Sequence, residues 1–233
     1  MSDLRKTLVA PSGETDVSAF LKAVNEFAPA DAKAQGRLIF AMDATMSRQP
    51  TWDRALSIQA SMFTETSKAA SLQVQLVYFR GFDECRASKW VTRPEALARL
   101  MTAVECRGGH TQIGRVLTHV KAEAARTGVK AIVFVGDAFE ENIDQVCRTA
   151  GELGLLGARV FMFQEGSDVA AERAFKEIAR LTRGAYFRLD SSSPAILAEL
   201  LGAVAAYATG GQTALESRAK SSNASQVLLK QLK

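Results

Sequence analysis

Three short apolar runs stand out along the chain: Arg37 to Met42, Ala131 to Val135 and Arg159 to Phe163. Each is nearly continuous and rich in β-branched or aromatic residues, as strands buried on both faces are. A fourth run, Leu72 to Phe79, alternates less hydrophobically, and Ala185 to Leu189 reads as a last strand. Between the runs, apolar residues recur at i, i+3, i+4 and i+7, the period of amphipathic helices. Residues 51 to 70 place Trp52, Ala55, Leu56, Met62, Phe63 and Thr66 on one face, with Pro50 preset for the first turn. Pro94 opens a helix carrying Leu97, Leu100, Met101 and Val104, and three more helices carry Ile113 to Ala124, Ile143 to Leu153 and Ala171 to Leu181. A last helix follows Ser191-Ser192-Ser193-Pro194, whose serines can cap it, and turns Leu197, Leu200, Leu201, Val204 and Tyr207 inward.

Strands that alternate with helices of this length predict an α/β fold with a doubly wound, mostly parallel sheet and helices on both faces. The stretch from Phe82 to Val91 holds Asp83, Glu84, Arg86, Ser88 and Lys89, which suits a short polar edge strand. Residues 37–209 form the expected domain. Residues 1–36 precede it as an extension in which Asp16 caps an accessory helix with Val17, Phe20, Leu21, Val24 and Phe27 on one face. After Gly210-Gly211 the chain turns small and polar, so residues 210–233 read as a flexible basic tail, with Val227 to Leu232 as its one segment able to dock.

Composition narrows the function classes. With 233 residues, 47% hydrophobic and 23% charged, the chain can bury one sizeable core and is not compositionally disordered. No apolar run approaches the roughly 20 residues of a membrane-spanning helix, and Met1 to Lys6 lead into no apolar segment, so a cytoplasmic location without membrane partners is expected. Cys85, Cys106 and Cys147 are odd in number and show no C-x-x-C spacing, which predicts reduced, buried fillers rather than disulfides or zinc ligands. Much of the formal charge of +4 sits in the tail, where Arg218, Lys220, Lys230 and Lys233 face only Glu216. The remaining domain is too balanced for a nucleic-acid surface.

Ligands of an open parallel sheet gather at the carboxyl ends of its strands. Three such places carry oxygen ligands. Asp43-Ala44-Thr45-Met46-Ser47 follows the first strand and sets three oxygen-bearing side chains at i, i+2 and i+4. Gly108-Gly109-His110-Thr111 precedes a helix, and its glycines allow a tight turn that brings the Thr111 hydroxyl toward the same point. Asp137 directly follows Val133 to Gly136. Two carboxylates and three hydroxyls, without sulfur or imidazole, suit a hard cation such as Mg²⁺ or Mn²⁺. His110 and His119 lack a third partner at ligand spacing and read as a loop and a helix histidine. Glu140 and Glu141 fit the dipole of a helix start and lie within reach of the ion or its waters, and Phe139 reads as a packed aromatic.

This arrangement resembles the von Willebrand factor type A (VWA) domain, of the intracellular bacterial type, with its metal-ion-dependent adhesion site (MIDAS). The likeness covers about residues 37 to 209 and rests on Asp43, Thr45 and Ser47 in the Asp-x-Ser-x-Ser loop, Thr111 on the glycine-rich loop and Asp137 after the fourth strand. It implies a Rossmann-like sheet with one short antiparallel edge strand and a binding role rather than catalysis. Thr45 and Ser47 would ligate directly, Asp43 and Asp137 would act largely through hydrogen bonds and water, and a protein partner would supply a carboxylate. The chain departs from the family pattern at Thr45, at Met46 where glycine is frequent, and at Arg48, whose charge opposes a cation. Two alternatives stand beside this reading. One is a Mg-dependent phosphatase of the haloacid dehalogenase type, favoured by Gly136-Asp137 but lacking the second acid, since Thr45 occupies its position. The other is a structural scaffold with a degenerate metal site. No P-loop motif is present.

Overall fold

A computed structural model of the chain describes residues 36–58, 72–189 and 194–232. The accessory helix expected around Asp16, the helical positions Met62, Phe63 and Thr66, the Ser191–Ser193 cap and the Arg48 side chain lie outside the described residues. Six strands form one sheet: β1 (Gly36–Asp43), β2 (Leu72–Arg80), β3 (Glu84–Ala87), β4 (Ala131–Gly136), β5 (Arg159–Glu165) and β6 (Ala185–Leu189), in the order β3-β2-β1-β4-β5-β6. β3 pairs antiparallel with β2 at the edge, and every other pairing is parallel. This is the Rossmann-like, doubly wound sheet the hydrophobic pattern predicts. The strand order reverses direction at β1, so the carboxyl ends of β1 and β4 flank the natural crevice of the sheet.

Successive side chains of a strand point to opposite faces, and both faces are dry here. Leu38, Phe40 and Met42 of β1, Val133 and Val135 of β4 and Phe161 and Phe163 of β5 enter one core. Ile39 and Ala41, Ile132 and Phe134, and Val160 and Met162 enter the other. The first core is closed by α1 (Gln49–Ile58), α2 (Pro94–Thr102), α6 (Pro194–Ala219) and α7 (Asn223–Gln231). The second is closed by α3 (Ile113–Thr127), α4 (Ile143–Leu155) and α5 (Val169–Leu181). Each fully buried aliphatic or aromatic side chain contributes about 1.5–3 kcal/mol. Trp52 of α1 is buried, donates Nε1–H to the Met101 carbonyl at 3.0 Å and stands edge-on to Tyr78. It thereby fixes the helix that leaves the β1 loop.

Three expectations are corrected by the structure. The segment expected as a flexible tail is folded: α6 breaks at Gly211 (φ 64°) but re-enters helix, and α7 follows with Leu228 fully buried and Ser222 capping Ser225 N–H. Two buried leucines, Leu215 and Leu228, anchor this segment to the first core, and Gln231 Oε1 accepts the Tyr186 N–H on the outer edge of β6. An open strand edge is a pairing hazard, and α7 covers part of this one. The three cysteines are free, as expected, but only half-buried rather than fully buried. Burial pushes the Cys85 thiol up to about 11, with Arg115 and Arg86 opposing, so it stays protonated and unreactive at neutral pH. Ile143, expected on the inner face of α4, is exposed. Among the described residues, no helix is long and apolar enough to cross a membrane.

Candidate metal centre

The residues singled out from sequence meet in one cleft at the carboxyl edge of the sheet. Asp43, Thr45, Ser47, Thr111 and Asp137 all line it, together with Met46, Gly108, Gly109 and Glu140, around a volume of about 200 Å³. Asp43 ends β1 at 2% exposure, and its Oδ1 accepts the Thr45 N–H at 2.7 Å. That bond curls the loop back on the carboxylate and directs the Thr45 and Ser47 side chains to one side, 3.3 Å apart at their oxygens. The Ser47 hydroxyl donates to Asp137 Oδ2 at 3.1 Å, joining the loop after β1 to the loop after β4.

Proton accounting gives this chain of hydroxyls a direction. A hydroxyl has one proton and two lone pairs. Ser47 spends its proton on Asp137, so the contact between Thr45 and Ser47 is made by the Thr45 proton. Both protons therefore run toward carboxylate, and lone pairs of the two hydroxyl oxygens are left for an electron-poor ligand. Thr111 plays a different part. Its hydroxyl accepts the Glu140 N–H at 3.0 Å while Glu140 Oε2 accepts the Thr111 N–H at 3.1 Å. This reciprocal pair pins the glycine loop to the loop that carries Asp137.

The glycine loop is needed for a reason other than the expected tight turn. Neither Gly108 nor Gly109 has a positive φ. Instead, a Cβ on Gly109 would lie 2.0 Å from the Gly81 carbonyl oxygen, so the two loops touch backbone to backbone. Gly81 itself has φ 59°, a conformation open to glycine at little cost. His110 N–H and Gln112 Nε2 both donate to the Gly81 carbonyl, and Gln112 also reaches the Arg80 carbonyl. Arg80 is fully buried, gives Nη1–H to the Glu105 carbonyl at 2.7 Å and pairs with Glu84 at 3.0 Å. The end of β2 thus supports the wall of the cleft. Nothing in the spacing of Arg80, Gly81 and Gln112 along the chain announces this.

Glu140 and Glu141 divide in role. Glu140 lines the cleft and also accepts from His110 Nδ1 at 3.2 Å. Glu141 turns away and accepts the N–H groups of Ile113 and Gly114 at 2.5 and 2.8 Å. The residue before α3, Gln112, offers that helix no side-chain cap, so Glu141 satisfies donors that would otherwise lack partners. Met46, which lines the cleft, is 68% exposed, and Phe82, 74% exposed, stands edge-on to the His110 ring. Among the described residues no group of three or more His, Cys, Asp or Glu is placed to hold a metal. Any cation here would depend on the mixed set of carboxylates and hydroxyls.

No sequence-family model matches the chain, and no curated protein matches it. Solved structures do. A von Willebrand factor type A protein from Catenulispora acidiphila aligns with TM-score 0.62 and 14% identity over 76% of this chain, which spans 43% of that protein. The SpRpn10 VWA domain aligns with TM-score 0.53 and 11% identity over 76% of this chain and 97% of its own length. Manganese-loaded TRAP protein of Plasmodium vivax aligns with TM-score 0.51 and 12% identity over 73% of this chain and 74% of its own. At these identities the likeness establishes architecture: the chain has the von Willebrand factor type A fold.

Proposed function

We propose that the chain is a protein-binding module that holds Mg²⁺ or Mn²⁺ at Asp43, Thr45, Ser47, Thr111 and Asp137 and captures an acidic residue of a protein partner there. The observation that carries this reading is the convergence of all five oxygen ligands, from three separate loops, on a single open cleft. The donor set fits the ion, because hard divalent cations take carboxylate and hydroxyl oxygen. The manganese-loaded state of the TRAP neighbour supports the same choice. Such an ion, when bound, offers an electrophilic position to a carboxylate oxygen. The chain supplies the rest. Thr45 and Ser47 present hydroxyl lone pairs, Asp43 holds the loop through the Thr45 N–H, and Asp137 takes the Ser47 proton. Thr111 and Glu140 keep the second and third loops in register.

The phosphatase alternative asks Asp43 to attack a phosphorus atom in line. Asp43 is buried as a residue and its carboxylate is bonded to the loop backbone, which suits a ligand-organising group better than a nucleophile. Binding is therefore the reading the geometry favours.

Thermal unfolding in EDTA, Mg²⁺ and Mn²⁺ tests it. A cation that binds only the folded state stabilises by about 2.7 kcal/mol at one hundred times its Kd. The midpoint of the wild type is expected to rise with cation, and the rise is expected to vanish in Asp43→Ala and in the exposed-site variant Ser47→Ala, which keeps the buried carboxylate. A wild type indifferent to millimolar cation would contradict the proposal.

A further inference from the structure

Beside the cleft lies a second concavity that neither the five oxygen ligands nor the fold requires. It is a groove of about 460 Å³ between the start of α4 and the start of α5, floored by Phe139, Ile143, Ala170 and Ala174. Glu140 lines both the groove and the cleft, so the two adjoin at that residue. Its charged groups are Glu140, Glu141 and Arg173. The carboxylates are engaged within the protein, Glu140 by Thr111 and His110 and Glu141 by the amides of α3. Arg173 is exposed on α5, and it forms no hydrogen bond or ion pair among the described residues. Its neighbours on the helix surface are paired otherwise, Glu172 with Lys176 and Glu177 with Arg180.

An apolar hollow bordered by Arg173, which has no ion pair among the described residues, adjoins a site for a carboxylate and so defines a partner chemistry. Resting on the cation-dependent reading above, we propose that the partner is an acidic–apolar peptide segment. One carboxylate enters the cleft, a large apolar side chain within a few residues of it fills the groove over Ala170 and Ala174, and a further acidic side chain meets Arg173. Recognition by a buried apolar anchor with charges at its border is how small interfaces gain specificity. Met46, exposed on the lining of the cleft, adds apolar contact there. A carboxylate alone would be bound by the cleft without selection; the groove supplies the selection.

The probe is a random twelve-residue peptide library displayed on phage, selected on the full chain in Mn²⁺ and eluted with EDTA. Peptides recovered this way are expected to pair an acidic residue with Leu, Phe or Met at a recurrent spacing. By fluorescence anisotropy, Ala170→Trp, which fills the groove from an exposed position, is expected to weaken them at least ten-fold. Arg173→Glu is expected to weaken them several-fold, and both variants should keep the wild-type thermal response to Mn²⁺. Binders that carry acid without a recurrent apolar partner, or that bind Ala170→Trp as tightly as wild type, would overturn the groove assignment while leaving the metal site standing. A library that yields no cation-dependent binder also overturns it, and the thermal response of the wild type then tells which failed: retained, the groove; absent, the cation site itself.

Discussion

The two ends of the sheet solve the same problem in opposite ways. At the amino end, the described turns after α4 and α5 are short and closed chiefly by backbone bonds. The turn after α4 bonds Gly157 N–H to the Gly154 carbonyl and Ala158 N–H to that of Leu153, with Gly157 at φ 73°. The turn after α5 repeats this pattern with Arg183 at φ 53°, bonding Arg183 N–H to Arg180 and Gly184 N–H to Ala179. Both are Schellman closures, in which backbone N–H groups satisfy the last carbonyls of a helix; after α5 the buried Thr182 hydroxyl adds a bond to the Ile178 carbonyl and accepts the Val160 N–H. At the carboxyl end, loops are held by side chains from elsewhere: Ser47 on Asp137, Glu140 on Thr111 and Glu141 on α3. A turn closed chiefly by backbone depends on few side chains, whereas an end closed by carboxylates and hydroxyls presents a fixed set of oxygens. The second end is where a ligand can be held.

Variants at each end should therefore separate stability from cation response. The largest effect is expected for Gly109→Ala, because the added carbon overlaps the Gly81 carbonyl and one loop must move. A loss of about 1–3 kcal/mol in denaturant unfolding is expected, as for overpacked sites, together with a reduced thermal response to Mn²⁺. At the amino end, Gly157→Ala meets no atom and suffers only its left-handed backbone. It should lose about 1 kcal/mol while its cation response stays that of wild type. Arg183→Gly relieves the same conformation and should gain a similar amount, again with the cation response unchanged. A cation response altered by either amino-end change would break the contrast between the ends.

The smallest expected effect concerns pH. Burial lowers the pKa of His119 on α3, with Glu123 opposing and Arg126 reinforcing, and its Nε2 lies 2.9 Å from Gln75 Oε1. The unfolded chain then binds a proton more readily than the folded one, so stability is full above the ordinary histidine pKa and falls as pH drops through the folded value. Unfolding midpoints between pH 7 and 5 should decline less steeply in His119→Gln than in wild type. Equal slopes would remove His119 as a contributor.

Much of this contrast is legible in the sequence, and the reasons are local. β1, β4 and β5 are covered on both faces, so their residues must be apolar in a row, and the rows are visible. Asp43, Thr45 and Ser47 lie within five residues on one loop, and Thr111 and Asp137 are found by asking which polar residues follow strands or precede helices. What escapes is contact across sequence distance. Glu141 caps a helix that starts almost thirty residues earlier, and in the sequence it is indistinguishable from any acid at a helix start. Gly109 looks like a turn glycine, because approach to Gly81 leaves no mark on its neighbours. The folded segment after Gly211 escapes because its buried anchors, Leu215, Ala224 and Leu228, are few and widely spaced, and the Val227 to Leu232 cluster at its end does not say what it docks against. Such sparse apolar positions carry no clear period.

The central claim is that three loops at the carboxyl end form one divalent-cation site. Titrating Mn²⁺ into the protein while following the electron paramagnetic resonance signal of the free ion counts bound cations directly. The account predicts one Mn²⁺ bound per wild-type chain and displaced by Mg²⁺, with none retained in Ser47→Ala or Asp43→Ala at the same concentrations. No binding to wild type, or equal binding to wild type and both variants, would contradict it.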